Sequence, residues 1–315
     1  MYKKITCLFV IFLSIGCTTI PKSVEEYRTT LKSKKVDGYN MTYVDKGPQD
    51  GDVIVLLHGI PTSSYLYRNI INPLAEKGFR VIAPDYIGFG GSDKPEDGDV
   101  YKIENQADRT IRFLHSLEIP KAHFVVHDMG GLIAWEMMTK NSDIFQSLLI
   151  LNSTAYAQGF NPPSEMRMMG GVMGGVMASM MESRLVGPFL MEKFLSDYMV
   201  HSERLSKEDI EQFWWPAHEG TTYPMRYIAK NFDNIISQFP VYQEQLKKFD
   251  KPTFVLWGEK DRVLNFEQIS AQLQRDLRIP QNQISSVQDA GHFIQEDASQ
   301  IIVEKVFELT QAAHK

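Results

Sequence analysis

The chain has 315 residues, room for one large domain carrying an insertion or for two small domains. Apolar residues make up 43% and charged residues 23%, ordinary for a globular protein, so a sizeable core is expected. The net charge of -6 leaves no basic footprint, which argues against a nucleic-acid partner, and no internal repeat interrupts the chain.

Lys3 and Lys4 precede an apolar run from Ile5 to Ile15, followed by Gly16 and Cys17. A basic end before an apolar stretch of this length reads as a secretory signal. It is shorter than the ~20 residues a membrane span needs. Leu13-Ser14-Ile15-Gly16-Cys17 resembles a bacterial lipobox, in which the cysteine is acylated and becomes the new N-terminus. The resemblance implies residues 1–17 as a lipoprotein signal peptide, Cys17 as the lipidation site and an anchor in the cell envelope. Thr18 rather than Asp after the cysteine points to the outer membrane, facing the periplasm. The only cysteines are Cys7 and Cys17, so disulfides, zinc–thiolate sites and a cysteine nucleophile are excluded from the folded part.

Residues 18–35 are polar without sustained periodicity and read as a tether. Short apolar runs then alternate with helical patterns. The expected strands are Val53–Leu57, Val81–Pro84, Phe124–His127, Leu148–Leu151, Thr253–Trp257 and Ile284–Val287; Ile103–Leu117 and Leu132–Thr139 are amphipathic. This alternation predicts an α/β fold with a mostly parallel sheet covered by helices on both faces. Between residues 154 and 250 the pattern turns helical and rich in Met and aromatics. We read a core over 36–153 and 251–315 with a helical lid inserted at 154–250. Ligands in such sheets bind at the carboxyl ends of the strands, where this lid would cover them.

Val125-Val126-His127-Asp128-Met129-Gly130-Gly131 follows an apolar strand and opens a helix, the pattern of a sharp turn that thrusts one side chain into a pocket. That side chain is Asp128, which as the first residue before a helix could also be a simple N-cap. His58-Gly59-Ile60-Pro61-Thr62 follows an earlier strand. Asp85-Tyr86-Ile87-Gly88-Phe89-Gly90-Gly91-Ser92-Asp93-Lys94-Pro95 reads as a tight structural loop. Trp257-Gly258-Glu259-Lys260-Asp261 and Ala290-Gly291-His292-Phe293 each follow a strand, giving the order nucleophile, acid, histidine.

From about Val36 to Phe307 the sequence resembles the α/β-hydrolase superfamily, in the branch of haloalkane dehalogenases and epoxide hydrolases. The likeness rests on His58-Gly59-Ile60-Pro61-Thr62-Ser63-Ser64-Tyr65-Leu66-Tyr67-Arg68-Asn69, on Ile82 to Pro95 and on Val125-Val126-His127-Asp128. It covers the core well and the lid poorly. It implies Asp128 as nucleophile, His292 as base and Asp261 as its orienting acid, with backbone N–H groups of Ile60 and Met129 forming an oxyanion hole. A carboxylate is ionised at neutral pH and attacks without a base. The resulting alkyl ester is then hydrolysed by water that His292 activates. Substrates would be small apolar electrophiles together with water; no metal and no organic cofactor is implied.

The leaving group stays open in the sequence. Dehalogenases usually carry Trp after the nucleophile and often Asn after His-Gly; here Met129 and Ile60 stand there, and neither side chain donates. Trp214 or Trp215 could compensate. Epoxide hydrolases use lid tyrosines to protonate the alkoxide. Gly220-Thr221-Thr222-Tyr223-Pro224-Met225-Arg226-Tyr227 loosely resembles such a lid segment, making Tyr227 the first candidate acid, with Tyr198 and Tyr156 as further candidates. Met166–Met181 holds seven methionines and two Gly pairs, suited to an adaptable apolar pocket or to a loosely packed lid helix. The expected activity is epoxide hydrolase-like, with a haloalkane dehalogenase second and a lipid-anchored, non-catalytic binding protein third.

Overall fold

The computed structural model describes residues 19–314. Cys17 and the apolar run before it lie outside these residues. Among the described residues, eight strands form one sheet: β1 (Lys32–Val36), β2 (Tyr39–Lys46), β3 (Val53–Leu57), β4 (Arg80–Pro84), β5 (Ala122–His127), β6 (Phe145–Leu151), β7 (Thr253–Gly258) and β8 (Ile284–Val287). Their order is β1-β2-β4-β3-β5-β6-β7-β8. β1 pairs antiparallel with β2 and β2 antiparallel with β4; every other pairing is parallel.

β3 and β5 sit at the centre, paired Ile54 to His123 through Leu57 to Val126. Their near-continuous apolar runs are buried on both faces, as a parallel sheet between helical layers demands. On one face Phe113, Ile133, Trp135 and Leu273 bring helices Ile103–Ser116, Met129–Asn141 and Phe266–Leu277 against Phe124 and Leu148. On the other, Ile70, Leu74, Val303 and Val306 of helices Arg68–Glu76 and Ser299–Ala313 cover Leu56, Val125 and Leu149. The expected strands all form, extended by up to three residues at an end. The antiparallel pair β1–β2 was not anticipated.

From residue 19 to residue 35 the expected tether is not irregular. Lys22–Thr30 is a helix and β1 starts at Lys32. The helix is held by long-range contacts: Ser23 Oγ donates to Glu211 (2.8 Å), Arg28 pairs with Glu219, and Tyr27 packs edge-on against Tyr65 at 4.9 Å.

Between β6 and β7 the chain is helical: Ser164–Gly170, Gly174–Glu182, Gly187–Tyr198, Lys207–Pro216, Thr222–Lys230, Phe232–Ser237 and Phe239–Lys248. The last of these departs from the expected lid boundary. Its Tyr242 and Leu246 are buried in the main core cluster beside the sheet, so this helix belongs to the core layer. Among the described residues no helix is long and apolar enough to cross a membrane.

Candidate active site

Asp128 occupies the turn between β5 and helix Met129–Asn141 with φ 49° and ψ −120°. A positive φ on a non-glycine residue stores on the order of 1–3 kcal/mol, so the surroundings must enforce it. They do so through the Asp128 N–H, which donates to the Asn152 carbonyl (3.1 Å), and its carbonyl, which accepts from Ser153 Oγ (2.8 Å) and Gly131 N (3.0 Å). The turn also needs bare glycines. A Cβ on Gly130 would stand 2.3 Å from the Leu57 carbonyl oxygen, and one on Gly131 1.9 Å from Ser153 Oγ.

The Ile60 N–H donates to Asp128 Oδ1 at 3.0 Å, and Met129 lines the same cavity from the start of the helix. His292 Nε2 lies 3.6 Å from Asp128 Oδ2, an electrostatic contact rather than a hydrogen bond. His292 Nδ1 is 2.9 Å from Asp261 Oδ2. Asp261 is itself fixed: Oδ1 accepts from the N–H groups of Val263 (2.7 Å) and Leu264 (3.0 Å), and Oδ2 from Asn152 Nδ2 (2.7 Å). The imidazole thus stands between two carboxylates, one presented by the loop after β5 and the other by the loop after β7.

Burial works against both charges of the central pair, yet each partner outweighs it for the other. The Asp128 carboxyl is brought down to about 2, by His292 above all and also by the Ile60 N–H. The His292 ring is pushed up to about 10 by Asp261 and Asp128. Two neighbouring histidines behave oppositely. His127 is buried and brought down to about 4; its neutral ring bonds the His292 carbonyl through Nε2 (2.9 Å). His58 is lowered by burial; its Nδ1 is 2.8 Å from the Gly59 carbonyl, while Nε2 accepts from the Tyr86 N–H (3.3 Å). Both position the loops around Asp128. The loop from Asp85 to Pro95 is structural, as expected: buried Asp85 accepts from Ser64 N (2.7 Å), Gly91 N (3.0 Å) and Thr42 Oγ1 (2.7 Å).

Asp128 and His292 open onto a cavity of about 300 Å³ whose lining is mostly apolar. Five of the seven methionines between Met166 and Met181 line it, namely Met166, Met168, Met169, Met177 and Met181. Of the three candidate acids only Tyr198 is in the wall. Its hydroxyl donates to Glu165 (3.0 Å), and burial together with that carboxylate raises it to about 12.

Tyr227 is not in the site. Met225, Ile228 and Ala229 turn to the cavity from helix Thr222–Lys230, leaving Tyr227 on another face, against Tyr101 and Gly98. Tyr156 is also elsewhere, buried in the core with its hydroxyl on Asp276 (3.0 Å). Trp214 and Trp215 do not compensate for Met129: their N–H groups are spent on the Met181 carbonyl (2.6 Å) and Glu219 (2.7 Å), and neither ring lines the cavity.

Two contributors had no sequence signature. Asn152 bridges the site, donating to Asp261 and accepting from the Gly258 N–H (3.1 Å). Asp297 accepts from the N–H groups of Gly291, Val200 and His201, tying the histidine loop to the lid. Among the described residues, one group of His and carboxylate side chains is close enough to share an ion: Asp52, His123 and His314. His123 is near the start of β5, about 16 Å of strand from Asp128, so this group cannot act in the cavity.

A model of the alpha/beta hydrolase fold family matches residues 52–299. The chain belongs to this family. As an α/β-hydrolase it is similar to the haloalkane dehalogenase of Mycolicibacterium paratuberculosis, 28% identical over 277 residues, covering 86% of this chain and 88% of the relative. It is 28% identical over 292 residues to the cis-3-alkyl-4-alkyloxetan-2-one decarboxylase of Xanthomonas campestris, covering 84% and 90%. Epoxide hydrolase 3 of Xenopus tropicalis is 28% identical over 278 residues, covering 84% and 73%. The chain is therefore an α/β-fold hydrolase, a class that acts on small substrates and water.

Proposed function

We propose that this enzyme opens strained oxygen heterocycles, epoxides first, through a covalent alkyl ester on Asp128. The observation that carries this reading is a depressed carboxylate, rather than a serine, on the strained turn in front of His292 and Asp261. In the proposed first step Asp128 Oδ2 bonds to the substrate carbon as the ring C–O bond breaks. Tyr198 gives its hydroxyl proton to the alkoxide, which is far more basic than a phenolate. Water then adds to the ester carbonyl, losing a proton to His292, while Oδ1 gathers charge under the N–H groups of Ile60 and Met129. The adduct collapses as its bond to the alkyl oxygen breaks; that oxygen takes the proton held by His292, the new carboxyl proton returns to the Tyr198 phenolate, and the diol leaves with carboxylate and phenol restored. The intact constellation disfavours the non-catalytic binding reading.

Halide release is the weaker alternative, because neither Trp214 nor Trp215 offers a donor to the cavity. A second reading follows from Tyr198 itself. With its hydroxyl engaged by Glu165 it is a reluctant acid, and an oxetan-2-one, the ring named for the Xanthomonas relative, would release a carboxylate that needs no acid. We also propose the sequence-based anchor: Cys17 acylated, with the enzyme held at the outer membrane facing the periplasm.

The test is intact-mass detection of adducts on His292→Ala, offered epoxides, oxetan-2-ones and bromoalkanes. An epoxide adduct that persists, with wild-type diol formation depressed at least tenfold by Tyr198→Phe, is expected. Adducts from bromoalkanes alone would reject the reading.

A further inference from the structure

Of the large apolar side chains that the described residues leave exposed, eight of thirteen fall within residues 168–189 of the lid. Helix Gly174–Glu182 explains why. Met177 and Met181 face the cavity, while Val176 and Met180, one residue back in phase, face outward and are exposed. A surface helix ordinarily carries charge on its outer face. Here the only charged side chain, Glu182, is turned to the Thr222 hydroxyl. The flanking turns and the start of helix Gly187–Tyr198 continue the surface, with Val172 103%, Leu185 93% and Phe189 64% exposed. Scattered exposed apolar residues need no explanation, but a continuous run of them marks an interaction site.

The occupant is indicated by where the chain emerges. The Thr19 carbonyl accepts from Arg184 Nη2 (3.4 Å), so the N-terminal segment departs beside Leu185, with Ile20 also exposed there. At no more than about 3.5 Å per residue, Cys17 lies within about 7 Å of Thr19 and Ile15 within about 14 Å. An acyl chain on Cys17, or the uncut Ile5–Ile15 run, would hold the lid against the bilayer it enters. Met168 belongs to both surfaces, being exposed and in the cavity wall.

We infer that the outer face of residues 168–189 rests on the lipid bilayer, and that the cavity opens there to draw its substrate from the acyl phase. The substrate is accordingly a lipid-soluble electrophile with alkyl chains, not a freely diffusing polar one. This rests on the envelope anchor and hydrolase readings above, but is tested apart from each.

The experiment uses the chain acylated at Cys17 in phosphatidylcholine vesicles, with Cys7→Ala leaving Val172→Cys as the one thiol for a fluorophore. Brominated acyl chains are expected to quench it at least twofold, and to leave unquenched the same label on Gln311→Cys, at the end of the last helix. Leu185→Asp with Phe189→Asp should abolish most of that quenching. The pair should also raise KM for a vesicle-borne long-chain epoxide about tenfold, with turnover of a water-soluble short-chain epoxide unchanged. Vesicle-bound protein without quenching overturns the docking while sparing the anchor. A label equally shielded without lipid also overturns it, since the cover is then a second copy or the chain's own N-terminal run. Quenching with every substrate inert supports the docking and rejects the proposed chemistry alone.

Discussion

In the proposed cycle His292 changes its charge when Asp128 loses its own. In the resting site both carboxylates hold the ring charged, pushed up to about 10. Once Asp128 is an ester, one of those charges is gone, and burial then drives the ring back towards its ordinary value of ~6.5. Alkylation of Asp128 by an epoxide requires the ionised carboxylate and the protonated Tyr198 hydroxyl, and should be flat between about 2 and about 12. Ester hydrolysis requires the neutral ring, so it slows about tenfold for each pH unit below the ester-state pKa. Lowering the pH should therefore trap the enzyme as its adduct, read by acid-quenched intact mass during turnover; an adduct fraction independent of pH would contradict this role for His292. At this scale the meeting of Asp128, Asp261 and His292 was readable because each lies on the loop that leaves a strand, in a fixed order. The tyrosines were not, because a lone Tyr, in a helix or a loop, gives no phase. Met225, Ile228 and Ala229 set the inward face and leave Tyr227 out.

Beside His292 one carboxylate ties the lid to the core, in addition to contacts farther off such as Arg68 with Asp209. Asp297 accepts from Gly291 N (2.8 Å), His201 N (2.9 Å) and Val200 N (3.1 Å), and the His292 N–H donates to the Tyr198 carbonyl (2.8 Å). The strand end that presents His292 and the helix end that presents Tyr198 are thereby one unit. Hydrogen bonds to a charged group are worth about 1.5–3 kcal/mol, so Asp297→Ala should destabilise the protein by about that amount. Amide exchange should quicken at residues 198–201 and kcat should fall about tenfold, with partial recovery in Asp297→Asn. Unchanged exchange at those amides would show that the lid is held elsewhere. None of this was legible beforehand. Asp297 lies on a four-residue helix, Ile294–Asp297, without a motif, and its lid partners Val200 and His201 are almost a hundred residues away in sequence. The boundary at residue 250 failed for a related reason: Phe239–Lys248 has a helical pattern whether it packs on the lid or the core, and only burial of Tyr242 and Leu246 assigns it.

Lid and core are closed by helix Lys22–Thr30, the first among the described residues. Lys22–Thr30 was misread as a tether because only Val24 and Tyr27 give it an apolar side, too few positions to show a period. Yet Val24 is 3% exposed and shares a cluster with Leu66 from the core and Ile210 and Phe213 from the lid. The helix thus straps the lid across the core, and it is also the element that follows the segment proposed to enter the membrane. Val24→Ala removes about two methylene equivalents of burial, roughly 1.5 kcal/mol. If that energy is local to the strap, its opening should rise about tenfold, and limited proteolysis within residues 19–31 should quicken accordingly. Adduct formation on Asp128 should be unaffected, because the strained turn, Ile60 and His292 all belong to the sheet and its loops. Val24→Asp should release the strap outright by burying a carboxylate without a partner. A chain cut no faster after either substitution would mean that the Arg28–Glu219 pair and the Ser23–Glu211 bond hold the helix without Val24. Slower adduct formation would mean instead that the strap reaches the catalytic turn through Ser64, whose hydroxyl meets Tyr27 and whose N–H donates to Asp85.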